Sequence, residues 1–147
     1  MKQEIISDVV NLNISRDDLI YSLSDWNLIL PNLSKELKDI SQIKGDKLIL
    51  KDVVKITIEI AEVTDKHILF SIDLIGFKTL NLWIQVVPTE EDVSCKVRAV
   101  LHIEVSKTGQ LLGLEKELNP DKIKESMDSY LIETKNSLEE EIKKKKG

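Results

Sequence analysis

Residues 119–146 carry the longest unbroken pattern in the chain, and it is the pattern of one amphipathic helix of about seven turns. Asn119 suits the N-cap and Pro120 the first helical position, where a backbone N–H would be orphaned anyway. Asp121 in the first turn and Lys143 to Lys146 in the last match the helix dipole. Ile123, Met127, Tyr130, Leu131, Thr134, Leu138 and Ile142 recur at spacings of three or four and make one face. Lys122, Glu125, Asp128, Glu133, Lys135, Asn136 and Glu140 make the other. A helix of this kind must bury its stripe, and most of the chain before it reads as strand, so the partner is a sheet.

The strands show as alternation. Val10, Leu12 and Ile14 alternate with Asn11 and Asn13, which predicts a strand within residues 4–14. Ser15-Arg16-Asp17-Asp18 has the form of a capping box with Asp for Glu, and Leu19, Ile20, Leu23 and Trp26 continue at helical spacing, predicting a helix over 16–25. Residues 27–33 predict a second short helix or apolar turn, ended or kinked at Pro31. From Ser34 the period is read as two, with Leu37, Ile40 and Ile43 marking a strand before the Lys44-Gly45-Asp46-Lys47 turn. Residues 48–62 follow as a long β segment, with Lys51-Asp52 a candidate break. Strands over 67–75, 80–86 and 93–105 come next, the turn between the last two being Pro88-Thr89-Glu90-Glu91-Asp92. Turns of about two to six residues join these strands, so they form an antiparallel meander. Thr108 to Leu114 reads as an apolar loop held between glycines.

Composition sets the class. A chain of 147 residues is expected to be one domain, residues 1–147, with 41% hydrophobic residues for a core and 32% charged residues for a surface. The net charge of −5 and dispersed lysines argue against a nucleic-acid partner. No apolar run exceeds three residues, so no stable membrane insertion is expected. Acids among the first eight residues speak against a secretory signal, and the single cysteine, Cys95, excludes an internal disulfide. The expected location is cytoplasmic. Nineteen lysines against two arginines fit either a thermophile or an AT-rich genome.

The order of strand, two short helices, antiparallel strands and one long C-terminal helix resembles the helix-grip fold of the START/Bet v 1-like (SRPBCC) superfamily. That group includes pollen-allergen Bet v 1 proteins, START lipid-transfer domains and polyketide cyclase-like proteins. Ile14 to Asp25 resembles its first-helix pattern, Trp26 to Pro31 its second short helix, and Gly109 to Leu114 with Met127, Leu131 and Leu138 the approach to and face of its last helix. The composition is also similar to that of an uncharacterised helix-grip family from thermoacidophilic archaea. The resemblance implies an α+β fold, a curved antiparallel sheet of 6–7 strands wrapped around the C-terminal helix, with two short helices after the first strand. It also implies a cavity between sheet and helix for a lipid, isoprenoid or polyketide-like molecule.

The expected function is therefore binding or carriage of a small hydrophobic ligand, with no cofactor. A cyclase- or dehydratase-like enzyme and a protein-interaction module acting through the outer sheet face are the alternatives. Candidate lining residues are Trp26, Leu30, Phe70, Ile72, Leu82, Ile84, Leu101, Ile103, Leu112, Met127, Tyr130 and Thr134. Each is also readable as core, and core is the favoured reading at the sheet positions and at Met127, Tyr130 and Thr134. Tyr130 is the polar handle that would orient a ligand in an apolar pocket. Trp26, Leu30, Leu33 and the leucines at 111, 112 and 114 are candidates for an entrance. No catalytic signature stands out. His67 and His102 lack metal-ligand spacing, Cys95 has the inward phase without a base, and Asp73 and Glu59 face outward. Trp83 has the solvent phase, shared with Ile75, Val87 and Val100, which predicts either a bulge or local cover, or a homodimer or partner patch; a monomer or homodimer is expected. Glu139/Lys143, Glu140/Lys144 and Glu141/Lys145 are i,i+4 pairs of favourable polarity.

Overall fold

The computed structural model describes residues 2–89 and 93–146, with only the backbone considered at Pro88, Ile142 and 144–146. The Glu90-Glu91-Asp92 part of the expected turn lies outside the described residues. So do the side chain of Ile142 on the helix stripe, the lysine partners expected at 144 and 145, and the last lysine of the run, Lys146.

Eight strands form one antiparallel sheet: β1 (Lys2–Ile6), β2 (Val10–Leu12), β3 (Ser41–Lys44), β4 (Lys47–Lys51), β5 (Lys55–Val63), β6 (His67–Asp73), β7 (Phe77–Pro88) and β8 (Cys95–Val105). From β3 to β8 each strand pairs with the next, the expected meander, and the order closes β1-β8-β7-β6-β5-β4-β3. The expected long segment is indeed divided at Lys51-Asp52. β1 and β2 lie end to end along β8, so the strand expected over residues 4–14 is one edge strand broken in the middle.

Ser7 makes that break. It is buried, its backbone N–H donates to Ala99 O at 2.9 Å, and its hydroxyl accepts from Ala99 N at 2.8 Å while donating to Asp8 O at 3.0 Å. A side-chain oxygen thus replaces a ladder carbonyl, and the chain can leave the sheet without orphaning a buried amide.

Helices α1 (Arg16–Ser22), α2 (Trp26–Ile29) and α3 (Lys35–Asp39) lie between β2 and β3, with a 3-10 turn at Leu30–Asn32. Ser15 caps α1 through Asp18 N, as the sequence predicts, though α1 stops at Ser22 instead of 25. α3 is a correction. Ser34 caps it by accepting from Leu37 N at 3.3 Å, and the spacing of three between Leu37 and Ile40 belongs to a helix side, so only residues 41–44 become strand. The expected loop at 108–114 is also corrected. It forms α4 (Lys107–Leu111), capped by Ser106, and α5 (Leu114–Glu117), separated by Gly113 at φ +76°. The long helix α6 (Pro120–Lys146) stands as predicted, with Asn119 Oδ1 accepting from Asp121 N and Lys122 N at 3.1 and 3.3 Å.

The interior divides into two packed halves. α6 covers β1, β2 and β8 through Met127, Leu131 and Leu138, against Ile5, Leu12, Val97 and Ala99. The short helices cover the other end of the sheet, where Trp26 joins Leu48, Leu50, Ile60, Ile68 and Phe70. Ile20, Leu23, Leu82 and Ile84 touch both halves and form the seam.

Polar contacts fasten α6 to the broken edge strand. Asp128 Oδ1 accepts from Asp8 N at 2.7 Å, Lys124 Nζ reaches both Asp8 and Asp128 at 2.9 Å, and Glu139 Oε1 accepts from Asn13 N at 2.8 Å. Asp128 is thus half-buried at the docked side rather than on a free polar face. The Lys124 ammonium, then the Asp8 amide, hold the Asp128 carboxyl below the usual carboxylate range. The two carboxylates, Asp128 first, raise Lys124.

Candidate functional site

At the seam between the two halves lies a cavity of about 220 Å³. Its walls are Leu12 and Leu19, Leu23 from the end of α1, Phe70, Leu82 and Ile84 from the middle strands, Val97 and Ala99 from β8, and Met127, Tyr130, Leu131 and Thr134 from α6. Ten of these twelve side chains are apolar, with Tyr130 and Thr134 the exceptions. The room arises from side-chain size. β8 presents Cys95, Val97, Ala99, Leu101 and Ile103 inward, and at Ala99 the row is one methyl deep beneath a helix held off by Met127 and Leu131.

The cavity borders a wider vestibule of about 450 Å³, and Leu23, Tyr130 and Thr134 line both. α1 and the following turns supply Ser22, Ile29, Asn32, Leu33, Ser34 and Leu37; α6 supplies Glu133, Ser137 and Leu138. This flank of α6 is about half a turn around from Asp128 and Glu139, the residues that clip it to the edge strand. The helix is pinned on one side and borders an opening on the other.

Six of the expected lining residues stand in the cavity wall: Phe70, Leu82, Ile84, Met127, Tyr130 and Thr134. Tyr130 departs from its expected burial. It is 63% exposed and forms the rim. Trp26 stands one layer behind, buried, its ring tilted against Phe70 at 5.7 Å and its Nε1 donating to Asp46 O at 2.8 Å. Leu30 packs into the half under the short helices, Leu101 and Ile103 into the half under α6, and Ile72 is half-buried opposite Ile58; none of these four lines the cavity. Leu112 is corrected outright, being 62% exposed beyond α4. Leu111 is exposed as well, and Leu114 packs over the turn at Gly76. Of the entrance candidates only Leu33 lines the vestibule.

Sequence reasoning passed over Leu12, Leu19, Leu23, Val97, Ala99 and Leu131 as wall residues. Ala99 alone carried a signal: one of two alanines in the chain, placed in an inward row of larger side chains. The vestibule residues Glu133 and Ser137 had none, because their role depends on where α1 and α3 fold back.

Outside the cavity and the vestibule lie Cys95, His67 and His102. Cys95 is buried and desolvation pushes its thiol up to about 11, which leaves it inert. On the outer sheet face Trp83 pairs regularly with Val100, without a bulge, and is covered by His102 with ring centroids 4.5 Å apart. His102 Nε2 lies 2.9 Å from Glu4 and His67 Nε2 lies 3.2 Å from Glu62. Val100 is buried there, whereas Ile75 and Val87 are exposed. No described helix is long and apolar enough to cross a membrane.

No protein-family model and no curated protein matches the chain in sequence. Solved structures do match it in shape. A point mutant of norcoclaurine synthase from Thalictrum flavum, in complex with a transition-state analogue, superposes with a TM-score of 0.68 at 17% identity, covering 100% of this chain and 98% of that one. A START superfamily protein from Mycobacterium smegmatis gives 0.56 at 12% identity, covering 96% and 97%. A protein from Thermus thermophilus gives 0.56 at 14% identity, covering 92% and 97%. With a sheet gripping a long C-terminal helix, short helices over its open end and these neighbours along nearly its full length, the chain has the START/Bet v 1-like helix-grip fold.

Proposed function

We propose that the protein binds or carries a small hydrophobic ligand, of lipid, isoprenoid or polyketide-like character, in the cavity between the sheet and α6. The observation that carries this reading is the composition of the wall: a space of about 220 Å³ with ten apolar side chains in twelve, bordering a larger and more polar vestibule. Typical ligand sites are apolar concavities of roughly 300–1,000 Å³ with a few placed polar groups, and cavity plus vestibule fall in that range. A norcoclaurine synthase structure of this fold is described in complex with dopamine and hydroxybenzaldehyde, so the fold accommodates small organic molecules. A cyclase- or dehydratase-like reaction needs a titratable group beside the reacting atom. Tyr130 at the rim is the only titratable side chain in the described cavity wall, with Glu133 in the adjoining vestibule, and the apolar wall itself is what favours binding. We place this activity in the cytoplasm, where Cys95 stays a thiol.

Native mass spectrometry of the purified protein, followed by organic extraction, tests the proposal. The expected result is a bound apolar species that names the ligand class and is lost when Ala99→Trp fills the cavity. Protein that carries no added mass, and takes up no simple alkanol when one is supplied, would overturn the reading.

A further inference from the structure

Resting on the reading above, we infer that the ligand has a head as well as a tail, and that the head is a hydrogen-bonding amine or alcohol rather than a carboxylate. At an interior packing density of about 0.74, a cavity of about 220 Å³ holds roughly 160 Å³ of atoms, on the order of eight methylene-sized groups. A longer molecule must extend into the vestibule, past Tyr130 and Thr134.

The vestibule is polar in a particular way. Its lining on the α1–α3 side is already engaged. Ser22 Oγ donates to Asp18 O, Asn32 Nδ2 donates to Leu28 O and Glu141, and Ser34 Oγ accepts from Leu37 N. On the α6 side, Tyr130, Glu133, Thr134 and Ser137 make no side-chain hydrogen bond to another described residue. These four groups lie within two turns of one helix face and are left for water or a ligand. Among them stands the only charged side chain of the described vestibule wall, Glu133, and no described lysine or arginine faces it there. An ionised carboxylate head would meet the like charge of Glu133 with no cation among the described vestibule residues to compensate, whereas an ammonium or hydroxyl finds an acceptor at Glu133 and hydroxyls beside it.

The test uses one tail with three heads, namely octylamine, octanol and octanoate, with dissociation constants measured by calorimetry at neutral pH. Octylamine is expected to bind about fivefold tighter than octanol, and octanoate about fivefold weaker. Glu133→Gln should bring the three within about twofold of one another. Asp73→Asn removes the same charge from the exposed outer sheet face and should leave the order intact, which separates a local effect from the net charge of −5. Octanoate binding as tightly as octylamine, or an order unchanged in the Glu133 variant, overturns the head assignment and leaves the cavity reading standing. Binding of none of the three overturns the cavity reading itself, and the head assignment with it.

Discussion

Ala99 N–H, buried at the middle of β8, has a serine hydroxyl as its acceptor, and this single bond lets the edge strand break. Ser7→Ala removes the acceptor and leaves the amide buried without a partner, which costs about 1–3 kcal/mol. Urea unfolding should show that loss, and a change within a few tenths of a kcal/mol would mean water takes the hydroxyl's place. Nothing around Ser7 announces this role, because the group it satisfies is 92 positions away. Asp128 is a similar case. It reads as one more carboxylate on a solvated face, yet it ties α6 to the Asp8 amide, and Lys124, one turn earlier on the same helix, reaches both carboxylates. Its folded pKa is depressed, so its contribution is present above the ordinary aspartate value of 3.8 and is lost as pH falls through the folded value. Lys124 is raised, so its share persists below 10.5 and is lost as pH rises through the folded value. Thermal midpoints of wild type and Asp128→Asn should differ at pH 7, and the gap should narrow as pH falls below 3.8 towards the folded value. A gap that stays constant through that acid titration would show that the carboxylate charge is not what holds the helix. Tyr130, by contrast, had its face legible and its depth not: its place on the stripe follows from spacing, its exposure from how far the short helices reach.

Elements were legible where they are long. α6, β7 and β8 repeat one period over enough residues that no alternative fits, and their caps and turns agree with it. The failures are all short. Residues 34–40 contain only two apolar positions, and their spacing of three fits a helix side and not an alternating strand, as the Ser34 cap does, but so short a segment gives either signal little weight beside the strands that follow. Residues 107–117 were misread because Gly109 looks like a loop residue. In the fold it is helical and stands where α4 crosses the turn at Gly76, whose carbonyl accepts from Ser106 N at 3.0 Å. A β-carbon at Gly109 would collide with that carbonyl and with Val105 Cγ1, which are backbone and packed core. Gly109→Ala is therefore expected to destabilise by about 3 kcal/mol. At Gly113 there is open space and only the left-handed backbone resists a side chain, so Gly113→Ala should cost about 1 kcal/mol. Equal losses at the two positions in chemical denaturation would show that α4 does not approach the turn so closely.

At the scale of the molecule, the sequence implies one sheet and one helix closing on each other, and the structure adds a division that no local pattern contains. α6 is too narrow to cover the whole sheet, so the short helices take the other end, and the two coverings meet over Phe70, Leu82, Ile84 and Ala99. Whether such a seam closes or stays open depends on a few side-chain volumes, which is why periodicity could name half of the wall and not the space. Ten of the twelve side chains around that space are apolar, so a ligand or a larger side chain placed there removes apolar surface from water. Ala99→Leu adds three carbons at the shallowest point of the β8 row, on a residue only 3% exposed. In ligand-free protein it should hold or raise the thermal midpoint, against the usual loss of about 1–3 kcal/mol when a filled core is overpacked. The same variant should lose the midpoint shift that octanol gives the wild type, because binding stabilises only the form with room for it. A destabilised Ala99→Leu protein that still responds to octanol would place the ligand elsewhere. A destabilised one that no longer responds would mean that the seam lacks the free volume to take a leucine, with wall atoms rather than empty space beneath Ala99.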